Sequence, residues 1–237
     1  MDNTSSHRAI VTGANRGLGL EFVRQLLARG GRVVAGCRHP TAADALQSLS
    51  AAHPGRLYVL TLAVDSDTSR LAFAREAADQ FDGLDLLVNN AGMLATREAF
   101  GELDGQVLEQ TLATNTVAPL MLVQALAPLL LRGARARVLN ISSALGSIAR
   151  ADGFYTPTYR ISKAGLNMAG VMMARALNPS GIGVITASPG WVKTDMGGSD
   201  APLNVDESVA SLLRLVDELP GIPAGDFLDR NGEPLPW

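Results

Sequence analysis

The chain has 237 residues, 47% of them hydrophobic, and a formal net charge of −3, enough apolar material for the core of an α/β domain and no polyanion-binding surface: Lys and Arg are scattered, so no nucleic-acid partner is expected. Its one cysteine, Cys37, excludes an intrachain disulfide and a cysteine metal cluster, and the three histidines, His7, His39 and His53, are not spaced as metal ligands, so no metal is expected. The polar residues 1–8 lack the apolar centre of a signal peptide and no uninterrupted apolar stretch reaches the ~20 residues that span a bilayer, so no membrane partner and a cytoplasmic location are expected.

Residues 8–12 (RAIVT) form a short apolar run closed by Gly13, the mark of a strand. Leu18, Phe22, Val23, Leu26 and Leu27 then recur at helical spacing until Gly30-Gly31 stops the helix. A second strand covers 32–37, a helix 42–52, a third strand 56–64, a helix 69–81 and a fourth strand 84–88. Residues 105–131 read as a long apolar helix broken by Pro119 and Pro128. A strand at 137–141, a helix at 158–177, a strand at 183–187, a helix at 206–219 and a short strand at 226–228 complete the chain. No interior strand alternates polar with apolar residues. Continuous apolar strands separated by helices predict a doubly wound parallel sheet of about seven strands, covered by helices on both faces. No linker or repeat divides residues 1–237, so one Rossmann-type α/β domain is expected.

Between the first strand and first helix stands TGANRGLG, a GxxxGxG spacing. A dinucleotide pyrophosphate needs close backbone approach and the free N–H groups of a helix start. Gly13, Gly17 and Gly19 supply the missing side chains, and Asn15, Arg16 and Leu18 complete the expected cofactor turn.

Tyr159 and Lys163 lie four apart on one face of a predicted helix. A free phenol titrates near ~10, and a neighbouring ammonium favours its ionised form. Tyr159 is thus a candidate to exchange a proton with a carbonyl or alcohol oxygen, its pKa lowered by Lys163. The rival Tyr155 has Tyr159, not a lysine, four residues on, and reads as part of the loop wall. Asn115 precedes Pro119 by four residues, so its carbonyl loses an amide partner and the helix should distort there.

The glycine turn, Asn89-Asn90-Ala91-Gly92, Ser142-Ser143, Tyr159-Arg160-Ile161-Ser162-Lys163 and Pro189-Gly190-Trp191-Val192-Lys193-Thr194 occur in an order that resembles the short-chain dehydrogenase/reductase family. Within it, TGANRGLG, YRISKAGLNM, SPGWVKTDMGG and the ending GDFLDRNGEPLPW are similar to the short carbonyl reductases of the sniffer and C-signal-factor type. The resemblance implies a hydride transfer between a nicotinamide cofactor and a small carbonyl or alcohol substrate. It selects Ser143, three residues before Gly146, to orient the carbonyl, gives Lys163 the nicotinamide ribose and assigns Asn115 to a water-mediated proton relay. It also places Asn89, Ala91 and Gly92 on the adenosine side, Pro189, Gly190 and Val192 on the cofactor surface, and Thr194 at the nicotinamide amide.

At the end of the second strand no carboxylate awaits a ribose; Cys37 and Arg38 stand there. Arg38 and Arg16 suit a 2′-phosphate, so NADP(H) is favoured and NAD(H) is the alternative. The acidic position near the end of the third strand, which the resemblance links to adenine, holds Ala63, with Asp65 displaced by two and equally readable as a helix cap. Loops at about 144–158 and 190–205 should border the substrate, the latter small enough to leave the site open. The apolar helices at 107–131 and 159–177, with Met168, Met172 and Met173 either core or contact residues, go with a homodimer or homotetramer. Two other activities fit the same motifs: an NAD-dependent alcohol dehydrogenase, and a nucleotide-binding signalling protein with little turnover.

Overall fold

A computed structural model describes residues 7–95 and 98–237; the N-terminal reading falls largely on residues 1–6, outside the described part. Strands β1 (Arg8–Thr12), β2 (Arg32–Cys37), β3 (Leu57–Thr61), β4 (Leu86–Asn89), β5 (Arg137–Ile141), β6 (Gly183–Ser188) and β7 (Ala224–Asp229) form one parallel sheet in the order β3-β2-β1-β4-β5-β6-β7. The interior strands are apolar throughout because both faces are covered. Ala9 and Val11 of β1 join one core cluster while Ile10 joins the other, the two-residue alternation of a pleated strand.

On one face lie α1 (Gly17–Ala28), α2 (Asp44–Ala52) and α7 (Val205–Glu218), which bury Phe22, Leu46 and Leu212. The other face carries α3 (Asp67–Gln80), α4 (Gly105–Leu112), α5 (Ala118–Leu130) and α6 (Pro157–Leu177), with Phe73, Leu126 and Met173 in its core. Met173 is core, whereas Met168 and Met172 of the same helix are exposed.

Three expectations change. The helix at 105–131 is not broken at its prolines but distorted once: residues Ala113–Val117 form a π-helical turn just before Pro119, in which the Ala118 amide bonds to the Ala113 carbonyl. Widening the helix absorbs the donor that proline lacks. Pro128 sits near the C-terminal end of α5, where the Leu131 and Arg132 amides still find Ala127 and Leu129, so no break is needed. Because the helix continues through the π turn, Gly105–Leu130 gives 26 residues, long and apolar enough by length and composition to cross a membrane; its Leu122, Leu126 and Leu130 pack into the sheet core. Lastly, β3 ends at Thr61, and Ser66, not Asp65, caps α3 by accepting the Ser69 amide.

Candidate active site

The chain winds from β1 outward through β2 and β3, then crosses back to β4 and outward through β7. The crevice beyond the carboxyl ends of β1 and β4 is therefore where the winding reverses and where a ligand fits between the loops.

The glycine turn fills one side of this crevice. Gly13 has φ 61°, and a Cβ there would stand 2.9 Å from the Ala91 Cα. A Cβ on Gly19 would meet the Gly13 carbonyl at 2.2 Å. These two glycines thus let the turn close on itself and on the β4 loop. Gly17 opens α1, whose first amides have no partner in the helix, while the Leu20 amide already bonds to Arg16. Asn15 is exposed beside them and Leu18 half-buried. Thr12 and Asn90, which sequence reasoning did not single out, pin the turn. The Thr12 Oγ1 accepts the amides of Asn90 and Ala91 at 3.0 and 2.9 Å, and the Asn90 Nδ2 donates to the carbonyls of Thr12 and Gly13. Asn89 is buried and spends its side-chain amide on Asn140, a sheet contact.

Opposite stand the loop after β5 and the start of α6. Pro157 opens α6 after Thr156, which takes a left-handed φ of 45°. The turn of chain points Tyr159 and Lys163 to the carboxyl edge, both buried. Ser143 caps the short helical turn Ala144–Gly146 and lies beside the Tyr159 phenol. The Lys163 Nζ donates to the Ile141 carbonyl at 2.8 Å and lies 5.5 Å from the centre of the Tyr159 ring. The expected lowering of the phenol is overturned. Burial pushes Tyr159 up to about 12, with the Ser143 hydroxyl pulling weakly the other way, and pushes Lys163 down to about 8. In a low-dielectric site both groups prefer their neutral forms.

Asn115 is fully buried inside the π turn. Its Oδ1 accepts the Met93 amide at 2.9 Å, and its Nδ2 donates to the Met93 carbonyl at 2.8 Å and to the Ser162 Oγ at 2.9 Å. Ser162 in turn donates to the Tyr159 carbonyl. Ser162 was missed; its signal was its place between Tyr159 and Lys163. Asn115 and Lys163 meet at Gly92, whose Cβ position is 3.4 Å from the Asn115 Oδ1 and 3.8 Å from the Lys163 Nζ. Ser142 points elsewhere, donating to the Asn167 Oδ1 at 2.6 Å, so it is a core group and Ser143 is the hydroxyl at the edge. Tyr155 donates to Asp152, and its ring lies under the Arg160 guanidinium at 3.9 Å, a loop role.

The loop after β6 crosses toward the glycine turn. Gly190 keeps φ at 82°, and Val192 is buried and bridges to Leu203. The Pro189 carbonyl accepts the Ser208 hydroxyl. The Thr194 methyl stands 3.5 Å from the Cβ position of Gly17, and the Thr194 hydroxyl accepts the Gly197 amide. Next to it Asp195 forms an ion pair with Arg16 at 2.7 Å, with both side chains largely exposed. Arg16 therefore faces the 190–203 loop. Arg38 is exposed and makes no ion pair among the described residues. Asp65 is exposed too.

A dinucleotide fits this edge: free amides at the start of α1, a turn held clear of side chains, a buried ammonium across the crevice and no carboxylate at the end of β2.

Comparison with known proteins agrees. The short chain dehydrogenase family profile matches residues 7–202. The Myxococcus xanthus protein named C-signal is 40% identical over 154 residues, 65% of this chain and 93% of that one. The NADPH-bound carbonyl reductase from chicken fatty liver superposes with a TM-score of 0.91 at 36% identity, covering 98% of this chain and 99% of that one. The carbonyl reductase Sniffer of Drosophila melanogaster gives 0.92 at 33% identity, with 98% and 100% covered.

Proposed function

The chain belongs to the short chain dehydrogenase family of oxidoreductases, and within it we propose an NADPH-dependent carbonyl reductase that turns small aldehydes and ketones into alcohols. The observation that carries this reading is the convergence of the Ser143 hydroxyl, the Tyr159 phenol and the Lys163 ammonium at the crevice edge opposite the glycine turn.

When bound, the nicotinamide supplies a hydride. Every other task falls to the chain. The amides of Gly17, Leu18 and Gly19 hold the pyrophosphate, while Gly13 and Ala91 keep its floor clear. Arg38, with Arg16 once it leaves Asp195, meets the 2′-phosphate, and Thr194 borders the nicotinamide. Ser143 donates to the substrate oxygen and orients it. Tyr159, with its pKa at about 12, is protonated at neutral pH and gives that proton from its Oη as negative charge develops on the oxygen. Lys163 stays charged below about 8, holds the ribose and stabilises the phenolate left behind. Asn115 sets the π turn beside Lys163, where its carbonyl can hold a water that returns the proton.

We read residues 1–237 as one such domain, working in the cytoplasm. Val117, Leu120, Met168 and Met172 leave an apolar helical face exposed, which supports a homodimer or homotetramer. The likeness to C-signal favours one second reading, a signalling protein with little turnover. A carbonyl panel with NADPH and NADH decides between them. Tyr159→Phe should lower kcat/KM by about 10²–10⁴-fold with the Kd for NADPH unchanged. Full turnover in that variant would remove Tyr159 from the mechanism, and no wild-type turnover on any carbonyl would favour the signalling reading.

A further inference from the structure

The closing segment GEPLPW takes no part in the chemistry above, yet it reaches the loop that follows Ser143. The segment is fastened to β7. The Asp229 carboxylate accepts the amides of Asn231 and Glu233, the Leu235 amide bonds to the Phe227 carbonyl at 2.8 Å, and Pro234 bridges to Leu228. The Trp237 indole then stacks on Phe227, ring centres 5.7 Å apart and planes at 27°. Phe227 is buried, so the indole rests on the core.

From that seat the Trp237 main-chain oxygen turns to the substrate-side loop. It accepts the Ala149 amide at 2.8 Å and the Ser147 hydroxyl at 3.4 Å. Ser147 in turn accepts the Arg150 amide, and its own amide bonds back to Ala144, next to Ser143. The other side of the loop is fixed by Gly146, where a Cβ would stand 2.9 Å from the Lys163 backbone. Between the two anchors Ile148 is 76% exposed at the carboxyl edge of the sheet.

We propose that Trp237 is a positioning residue for the substrate-side loop: its stacking on Phe227 aims a main-chain oxygen that holds Ser147 and Ala149, and thereby sets the wall beyond Ser143 that a carbonyl substrate meets. The kinetic part rests on the reductase reading; the structural part does not. The contact is made by backbone, and the ring only aims it. A flat ring should therefore preserve the effect and a methyl group should lose it.

Full-length wild type, Trp237→Ala and Trp237→Phe are compared by amide hydrogen exchange and by kinetics with a bulky aryl ketone and a small aldehyde. In Trp237→Ala, exchange at Ala149 should speed up by about tenfold or more. KM for the aryl ketone should shift by about threefold or more, with kcat and the Kd for NADPH within about twofold. Trp237→Phe should restore both. Ser147→Ala, which removes one of the two Trp237 contacts together with the acceptor of the Arg150 amide and leaves the indole in place, should move exchange at Ala149 the same way by less, and read at Ala149 it serves if Trp237→Ala fails to fold. Unchanged exchange across 147–151 in these variants overturns the proposal, as does a lower Tm with exchange and KM unmoved. If the wild type reduces neither substrate, the reductase reading falls and exchange alone decides the loop's anchor.

Discussion

The two ends of the sheet bury polar groups in opposite ways. At the amino end, charge meets charge. The Arg8 guanidinium contacts both Asp85 oxygens, at 2.8 and 3.0 Å, and reaches Asp82, while Asp85 also accepts the amides of Arg8 and Ala134. Arg137 is the exception there: it is buried, forms no ion pair among the described residues and donates to the carbonyls of Leu219 and Gly221. At the carboxyl end the strand ends carry neutral groups: Thr12, Asn89, Asn90, Asn140 and Ser142 bond to side-chain amides, hydroxyls or backbone, while the buried guanidiniums of the flanking helices, Arg70 and Arg160, pair with the exposed Asp67 and Asp152. The one buried ammonium there, Lys163, has only the Ile141 carbonyl among the described residues. A compensated charge ties strands together. An uncompensated one costs stability, and where it lies beside another titratable group in a crevice, as Lys163 lies beside Tyr159, it is a candidate for chemistry.

That contrast breaks most visibly at Lys163. Lys163→Met should reduce turnover by about 10²–10⁴-fold and yet raise Tm, because a buried ammonium is removed. The lysine's pKa falls in the folded state, from 10.5 to about 8. The unfolded chain therefore holds the proton between these values, and wild-type stability should rise with pH across that window while the reduction rate falls above about 8. A variant that melts lower than wild type, with its turnover intact, would erase the distinction between the two ends.

Asp85→Ala tests the opposite end. It strands Arg8 half-buried and should cost about 2–4 kcal/mol in urea unfolding, with turnover per folded molecule unchanged. Burial works to raise the Asp85 carboxyl, but the hydrogen bonds from the Arg8 side chain and backbone and from the Ala134 amide outweigh it and hold it below 3.8. Its contribution is present above that value and lost as pH falls through the lower folded pKa. A loss of turnover without a loss of stability would contradict the structural role.

The smallest effect is expected at the exposed Arg16–Asp195 pair, worth ~0–1 kcal/mol. Asp195→Asn frees Arg16 and should tighten NADPH by up to about fivefold, leaving NADH unchanged. Equal shifts for both cofactors would mean that Arg16 does not meet the 2′-phosphate.

Much of this was legible in the residues alone. The winding of the sheet follows from apolar runs separated by amphipathic helices, and all seven strands lie where those runs placed them, to within a few residues. The glycine turn, the Tyr159–Lys163 pair and the helix distortion at Asn115 are short-range patterns and were readable as such. Misread or missed were the unbroken Pro128, the direction of the phenol's shift, and the supporting contacts of Thr12, Asn90 and Ser162. Each depends on what packs against the residue, and a serine or asparagine in a sequence does not name its partner.

The residues by themselves determined the order of strands and helices, the flat glycine turn and the spacing that puts a phenol and an ammonium on one helical face, because these are set by periodicity and backbone freedom over a few neighbouring positions. Tertiary structure alone decided that Arg16 finds Asp195 across 179 positions, that Lys163 enters the core without a carboxylate, and that Trp237 reaches back to Ser147. Such contacts and the desolvation that shifts a pKa are properties of the assembled core, in which distant segments supply each other's partners and exclude water together.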